Sequence, residues 1–194
     1  MNQAAAAATF DAQLFGETLS CALVLPAAFE PGAYPAPAAQ AESLLLSLAQ
    51  VEDLRGEEAL EDKKESSAAV QRVNAKLDLM LALLGRLVRQ SMQMPPPRAV
   101  RWSARGLRLA LPAAAGLPAG TAGTLALQAS EWLPDLLELP ATVLGEATLD
   151  DTGQASQRHG LWLALPALPT GLADALERHL FRLHRRQIAG SRRR

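Results

Sequence analysis

The chain has 194 residues, of which 49% are apolar, 20% charged and only 4% aromatic; this length supports one domain with an appendage, or two small ones, around a sizeable core. Nineteen basic against 20 acidic side chains leave a formal charge of -1, which excludes a surface given over wholly to nucleic acid. The single cysteine, Cys21, excludes an internal disulfide and, with three scattered histidines, a Cys/His zinc site, so a reducing cytoplasmic setting is the simplest reading.

The alanine run Ala4 to Ala8 has no basic residue ahead of it, and Asp11 and Glu17 break the apolar stretch that a signal peptide needs. It reads as a frayed terminus. Residues 13–25 (QLFGETLSCALVL) alternate in part and read as a strand or a bent pair, which Pro26, Pro31, Pro35 and Pro37 then stop. The apolar run from Cys21 to Phe29 falls far short of the ~20 residues a membrane-spanning helix requires.

From Ala39 to Met94 no proline occurs and helix formers dominate. A first helix over 39–54 places Leu44, Leu45, Leu48 and Val51 on one face, and Gly56 marks a break before the polar stretch 56–67. Eight carboxylates between 42 and 65 face only Arg55, Lys63 and Lys64, the pattern of a solvated helix face.

Over 68–94 the apolar residues fall into heptads. Val70, Leu77 and Leu84 take position a, and Val73, Met80, Leu87 and Met94 take position d. Leu81 and Val88 at e, with Leu83 at g, widen the stripe beyond a two-stranded seam. A helix of this length is a rod of ~40 Å, too long for a β domain with a radius of gyration near ~13 Å to cover. The stripe is therefore read as an oligomerisation surface carried by Val70, Val73, Leu77, Met80, Leu81, Leu84, Leu87 and Val88, with a trimer or tetramer favoured over a dimer by its width. Packing within the chain's own core is the alternative.

After Pro95-Pro96-Pro97 the period becomes that of strands. Val100 and Trp102, then Leu107, Leu109 and Leu111, then Leu125 and Leu127, alternate with polar or small residues, and 141–149 and 159–165 supply further strands. Short strands separated by glycine and proline predict a small antiparallel barrel or sandwich. A helix over 171–188 closes the chain, with Leu172, Leu176, Leu180 and Leu183 inward and Arg178, Arg182, Arg185 and Arg186 outward.

No catalytic or metal-binding constellation emerges. His179 and His184 are five apart on the last helix, ~140° around it, and are read as solvated or snorkelling. Cys21 reads as a small core residue, and Gly116, Gly120 and Gly123 as turns, since no Lys-Ser/Thr pair follows them. One cluster remains: Arg98, Arg101, Ser103, Arg105, Gly106 and Arg108, in which a hydroxyl, a glycine three residues on and flanking guanidiniums suit a tight turn that holds a phosphate. Arginines on an exposed strand face give the same letters.

The turn Ser103-Ala-Arg-Gly106 followed by Leu107-Arg108-Leu109, the strand His159-Gly-Leu-Trp-Leu and the arginine-rich last helix together resemble the PilZ domain. The resemblance covers about 13–28 and 97–188, with the helices between as an insertion, as in the tetramer-forming subgroup. It implies an α+β fold: a six-stranded antiparallel barrel and C-terminal helix, with inserted helices forming a coiled coil. The divisions are then 1–38, an N-terminal strand region of the barrel; 39–94, the oligomerisation segment; and 95–194, the main barrel and basic helix. Nucleotide-binding members carry Arg-x-x-x-Arg ahead of the barrel and Asp/Asn-x-Ser-x-x-Gly at the second turn. Here Ser103 and Gly106 match the second motif, Arg101 stands at its Asp/Asn position, and no arginine precedes Arg55. The resemblance thus implies a bacterial, cytoplasmic, non-enzymatic signalling or scaffold protein with an unknown protein partner, no cofactor, no nucleic acid and no membrane span, linked to cyclic di-GMP pathways without the usual nucleotide site. The alternative is a cyclic di-GMP receptor that uses the arginine cluster in a displaced arrangement.

Overall fold

The computed structural model describes residues 3–61, 73, 76, 77, 79, 80, 83, 94–130, 135–149 and 158–191, with side chains omitted at 54–61, 158 and 191. Helix α1 (Gln3–Phe15) is followed by strand β1 (Ser20–Pro31) and helix α2 (Ala38–Glu61). Strands β2 (Pro97–Ser103), β3 (Gly106–Leu111), β4 (Ala122–Leu127), β5 (Leu137–Leu149) and β6 (Arg158–Ala164) precede the C-terminal helix α3 (Thr170–Ser191). The six strands close an antiparallel barrel in the order β1-β2-β3-β6-β5-β4, so the strands described leave no open edge.

Alternation places Val100 and Trp102, Leu107 and Leu109, Leu125 and Leu127, Leu137 and Leu139, and Leu161 and Leu163 inside. Leucines fill most of this interior, which is why the chain needs so few aromatic residues. Helix α3 stops one end with Leu172, Leu176 and Leu180, and α2 adds Ala41, Leu45 and Leu48 to the same core. Leu44 packs only partly against it, and Val51, expected on the same face, is exposed (36%).

Several expectations are corrected. The N-terminus is a helix rather than a frayed end or a strand beginning at residue 13. Its alanines favour the helix, whose last backbone bond runs from Gly16 N–H to the Ala12 carbonyl (3.0 Å). Pro26 does not stop β1. It stands where the strand changes partner: Ser20 to Pro26 pair with β2 and Ala27 to Pro31 with β4. A residue without an N–H is tolerated at such a changeover, where the Pro26 carbonyl accepts from Gln128 N–H (2.9 Å). Gly56 does not break α2, which continues to Glu61, because an isolated glycine costs a helix only ~1 kcal/mol. His179 is fully buried rather than solvated, its ring 5.6 Å from that of Trp102.

Of the proposed heptad residues, Val70, Leu81, Leu84, Leu87 and Val88 lie outside the described residues. Val73, Leu77 and Met80 are helical.

Candidate functional site

The register of the barrel lines up four residues from neighbouring strands on its outer surface. Arg101 on β2 pairs directly with Arg108 on β3, Arg108 with Trp162 on β6, and Trp162 with Gly145 on β5. Two like charges directly opposite across a ladder repel each other, and this row needs an anion between them.

Helix α1 supplies it. The helix lies across the row and Asp11 accepts from all three donors: Arg101 Nη1 at 3.3 Å, Arg108 Nη1 at 2.9 Å and the Trp162 indole Nε1 at 2.7 Å. Arg101 is held further by its Nε, which donates to Ser20 Oγ (3.3 Å), and by the Phe15 ring 4.4 Å from its guanidinium carbon. Phe10 sits over the remainder of the row: its ring centroid is 5.5 Å from that of Trp162, and a Cβ on Gly145 would stand 2.6 Å from its Cζ. A glycine at the β5 irregularity between Val143 and Gly145 therefore makes room for the helix.

The turn that carries the family-like motif is covered as well. Ser103 pairs with Gly106, leaving Ala104 and Arg105 as the turn. The Ser103 hydroxyl donates to the Leu14 carbonyl of α1 (2.8 Å) and accepts from Arg105 N–H (3.1 Å). Ser103 is wholly buried, and at Gly106 any side chain would collide with the Leu163 carbonyl and with Leu14.

The expected cluster thus divides. Arg101, Ser103, Gly106 and Arg108 come together beneath α1. Arg105 is exposed at the turn. Arg98, which pairs with Leu25, has the strand parity of Val100 and Trp102 and so belongs to the opposite face from Arg101. Asp11 and Trp162 are the members that sequence reasoning missed. Asp11 was visible there only as an interruption of an alanine-rich stretch.

Arg101, which stands at the Asp/Asn position of the second motif, pairs here with Asp11 of α1.

A second internal carboxylate sits in the 115–117 loop. Glu146 accepts backbone N–H groups from Ala115 (2.9 Å), Gly116 (3.2 Å) and Leu117 (2.9 Å), around a Gly116 with φ of 70°. Gly116 and Gly120 have the positive φ of turn positions, whereas Gly123, expected as a turn, lies within β4; the 115–117 concavity resembles a phosphate loop because it holds an anion of the chain itself.

Elsewhere the titratable groups are structural. Burial raises the Cys21 thiol above its ordinary value, and the thiol lies 3.5 Å from the Leu180 carbonyl. Burial lowers His179 to about 4, helped by the charges of Arg186 and Arg182. Among the described residues no group of His, Cys, Asp and Glu is arranged to hold a metal, and no helix is long and apolar enough to cross a membrane.

The family described as atypical PilZ domain, cyclic di-GMP receptor, matches residues 45–193. A crystal structure of a pathogenic protein from Xanthomonas campestris, described as a tetrameric PilZ domain self-assembled via a helical bundle, is 54% identical with a TM-score of 0.73. The match covers 95% of this chain and 98% of that one. The motility inhibitor of Bacillus subtilis is 21% identical over 48% of this chain and 43% of its own, with a TM-score of 0.36. No curated protein matches the chain.

Proposed function

Because the chain belongs to the atypical PilZ domain family, we propose that it is a non-enzymatic, homotetrameric signalling or scaffold protein of cyclic di-GMP pathways. It assembles through the 68–94 helix, works in the cytoplasm through a protein partner, and does not hold the nucleotide by the family's usual motif.

The observation that carries assembly is the exposure of the heptad residues. Val73, Leu77 and Met80, spaced four and three apart on one helical face, are 55%, 52% and 60% exposed, and Leu83 beside them is 51% exposed. Aliphatic side chains repeated on one face at this exposure call for another surface to cover them. The Xanthomonas campestris protein assembles via a helical bundle, which supports copies of the same helix as that surface.

The reading against nucleotide binding rests on the covered turn. Ser103 and Gly106 are buried under the Leu14 end of α1, with the Ser103 hydroxyl bonded to the Leu14 carbonyl. A ligand approaching in the usual way meets a helix where its phosphates and base need open donors.

Leu77→Asp tests the assembly. The side chain is exposed in the single chain, so the barrel should still fold, while an unpaired charge buried between copies costs several kcal/mol. Light scattering should give about four times the 20.6 kDa chain mass for the parent and one times for the variant. A monomeric parent, or an unchanged mass in the variant, would overturn the proposal. Calorimetric titration of the parent with cyclic di-GMP should show no binding, and micromolar affinity abolished by Arg101→Ala with Arg108→Ala would favour the receptor reading instead.

A further inference from the structure

The face under α1 carries more than a structural ion pair. Two guanidiniums and an indole N–H converge on a single carboxylate, so the cradle holds one positive charge more than its occupant neutralises. Arg101 and Arg108 remain 36% and 28% exposed, and both also line an open groove of about 600 Å³ beside the helix. Ala22, Ala99, Ala110 and Leu149 give that groove an apolar wall, and Ala4 and Ala7 of α1 close its other side. The helix is held most firmly at one end: Leu14 and Phe15 are buried, Ala7 and Phe10 are partly buried against the same cluster, and most of residues 3–9 are exposed, with Gln3 holding Thr148 by an exposed hydrogen bond (2.7 Å). Asp11 stands one turn before the buried end, so that releasing it requires parting only the lighter Ala7 and Phe10 contacts while Leu14 and Phe15 stay seated.

We propose that Arg101, Arg108 and the Trp162 indole form a binding site for a small phosphomonoester, and that Asp11 is its displaceable internal occupant. The phosphate takes the place of the Asp11 carboxylate between the two guanidiniums, and the apolar body of the ligand lies in the groove. Phosphate suits the cradle better than a carboxylate does, since it offers three acceptor oxygens and a second negative charge to two forked donors. Binding then releases the Asp11 end of α1, so this helix reports the ligand. The site does not depend on the assembly proposed above, and its failure would leave the oligomeric state untouched.

Phenyl phosphate, which unites the anion with an apolar body, is the probe, and inorganic phosphate tests the anion alone. In the full chain the indole N–H resonance of Trp162, identified by its absence in Trp162→Phe, should move on titration with phenyl phosphate. Asp11→Asn removes the competing charge and should raise the affinity about tenfold, as expected when a competent state is freed from an internal competitor. Phe10→Ala removes the ring that packs on Trp162, which loosens the helix while leaving the three donors in place, and should also raise the affinity, which keeps the test open if Asp11→Asn folds poorly. Adding Arg108→Ala to either variant should abolish the gain, and inorganic phosphate should bind more weakly than phenyl phosphate. If both variants bind no tighter than the parent while melting at lower temperature, Asp11 is a structural staple and the proposal fails. Equal affinity for the two probes would remove the groove from the site and overturn the ligand class.

Discussion

Helices α1 and α3 cover the same barrel by opposite means. Helix α3 stops its open end with Leu172, Leu176 and Leu180, all fully or almost fully buried, and keeps its arginines outside, where Arg186 meets Glu52 and Arg182 lies 3.9 Å from Asp53 of α2. Helix α1 buries only Leu14 and Phe15 and places a carboxylate at the centre of its contact, bonded to three strands' worth of donors. An aliphatic seal is indifferent to salt and to other anions, whereas a partly exposed ionic contact is screened by salt and open to competition. One helix is built to stay and the other to be exchanged, and the two contacts should respond differently to perturbation.

The largest effect should come from the α3 side. Leu176→Ala removes a fully buried side chain and should cost about 2–5 kcal/mol in chemical denaturation, with little change between low and high salt. A loss under about 1 kcal/mol would mean that the end of the barrel is less tightly filled than its burial indicates.

Acid should act on the same helix. The folded chain keeps the His179 imidazole neutral down to about pH 4, whereas an unfolded chain protonates it near 6.5. Between those values the unfolded state binds more protons, so this contribution is complete above about 6.5 and is lost as the pH falls toward 4. The loss is at most about 3 kcal/mol. His179→Leu should flatten the pH dependence of the melting temperature in that window, and an unchanged slope would assign it to other groups.

The smallest effect belongs to α1. Asp11→Asn keeps the size of the side chain and removes the charge that Arg101 and Arg108 face, a loss of about 1 kcal/mol. It should shrink as salt is added, in contrast to the Leu176 variant. A salt-independent loss would show that packing, not the carboxylate, holds the helix.

The alternating leucines of the barrel were legible in the sequence because a half-buried strand writes its inward face at period two, as Leu107 and Leu109 or Leu125 and Leu127 do. The same holds for α3, whose Leu172-Leu176-Leu180 spacing is a helix face. The boundaries of β1 were not legible. Pro26 reads as a terminator when only neighbours in the chain are considered, and its tolerance depends on a change of partner between β2 and β4 that no local pattern records. Asp11 shows the same limit at the site: its ligands are 90, 97 and 151 residues away.

Local patterns were enough for the alternating strands, for the helices near 39–54 and 171–188, and for Ser103, Gly106 and Arg101 as a family-like turn with one position changed, because these properties are set by neighbours within a few residues; the same patterns were not enough for helix α1. What the cluster's arginines face depends on contacts far apart in the chain. Barrel closure brings β2, β3, β6 and β5 into one register, and the N-terminal helix folds back across them, so that a cluster legible as an open cationic patch is a cradle already holding the chain's own carboxylate. Charge counts and motifs are local or global sums, whereas the identity of a counter-ion is fixed by distance in space.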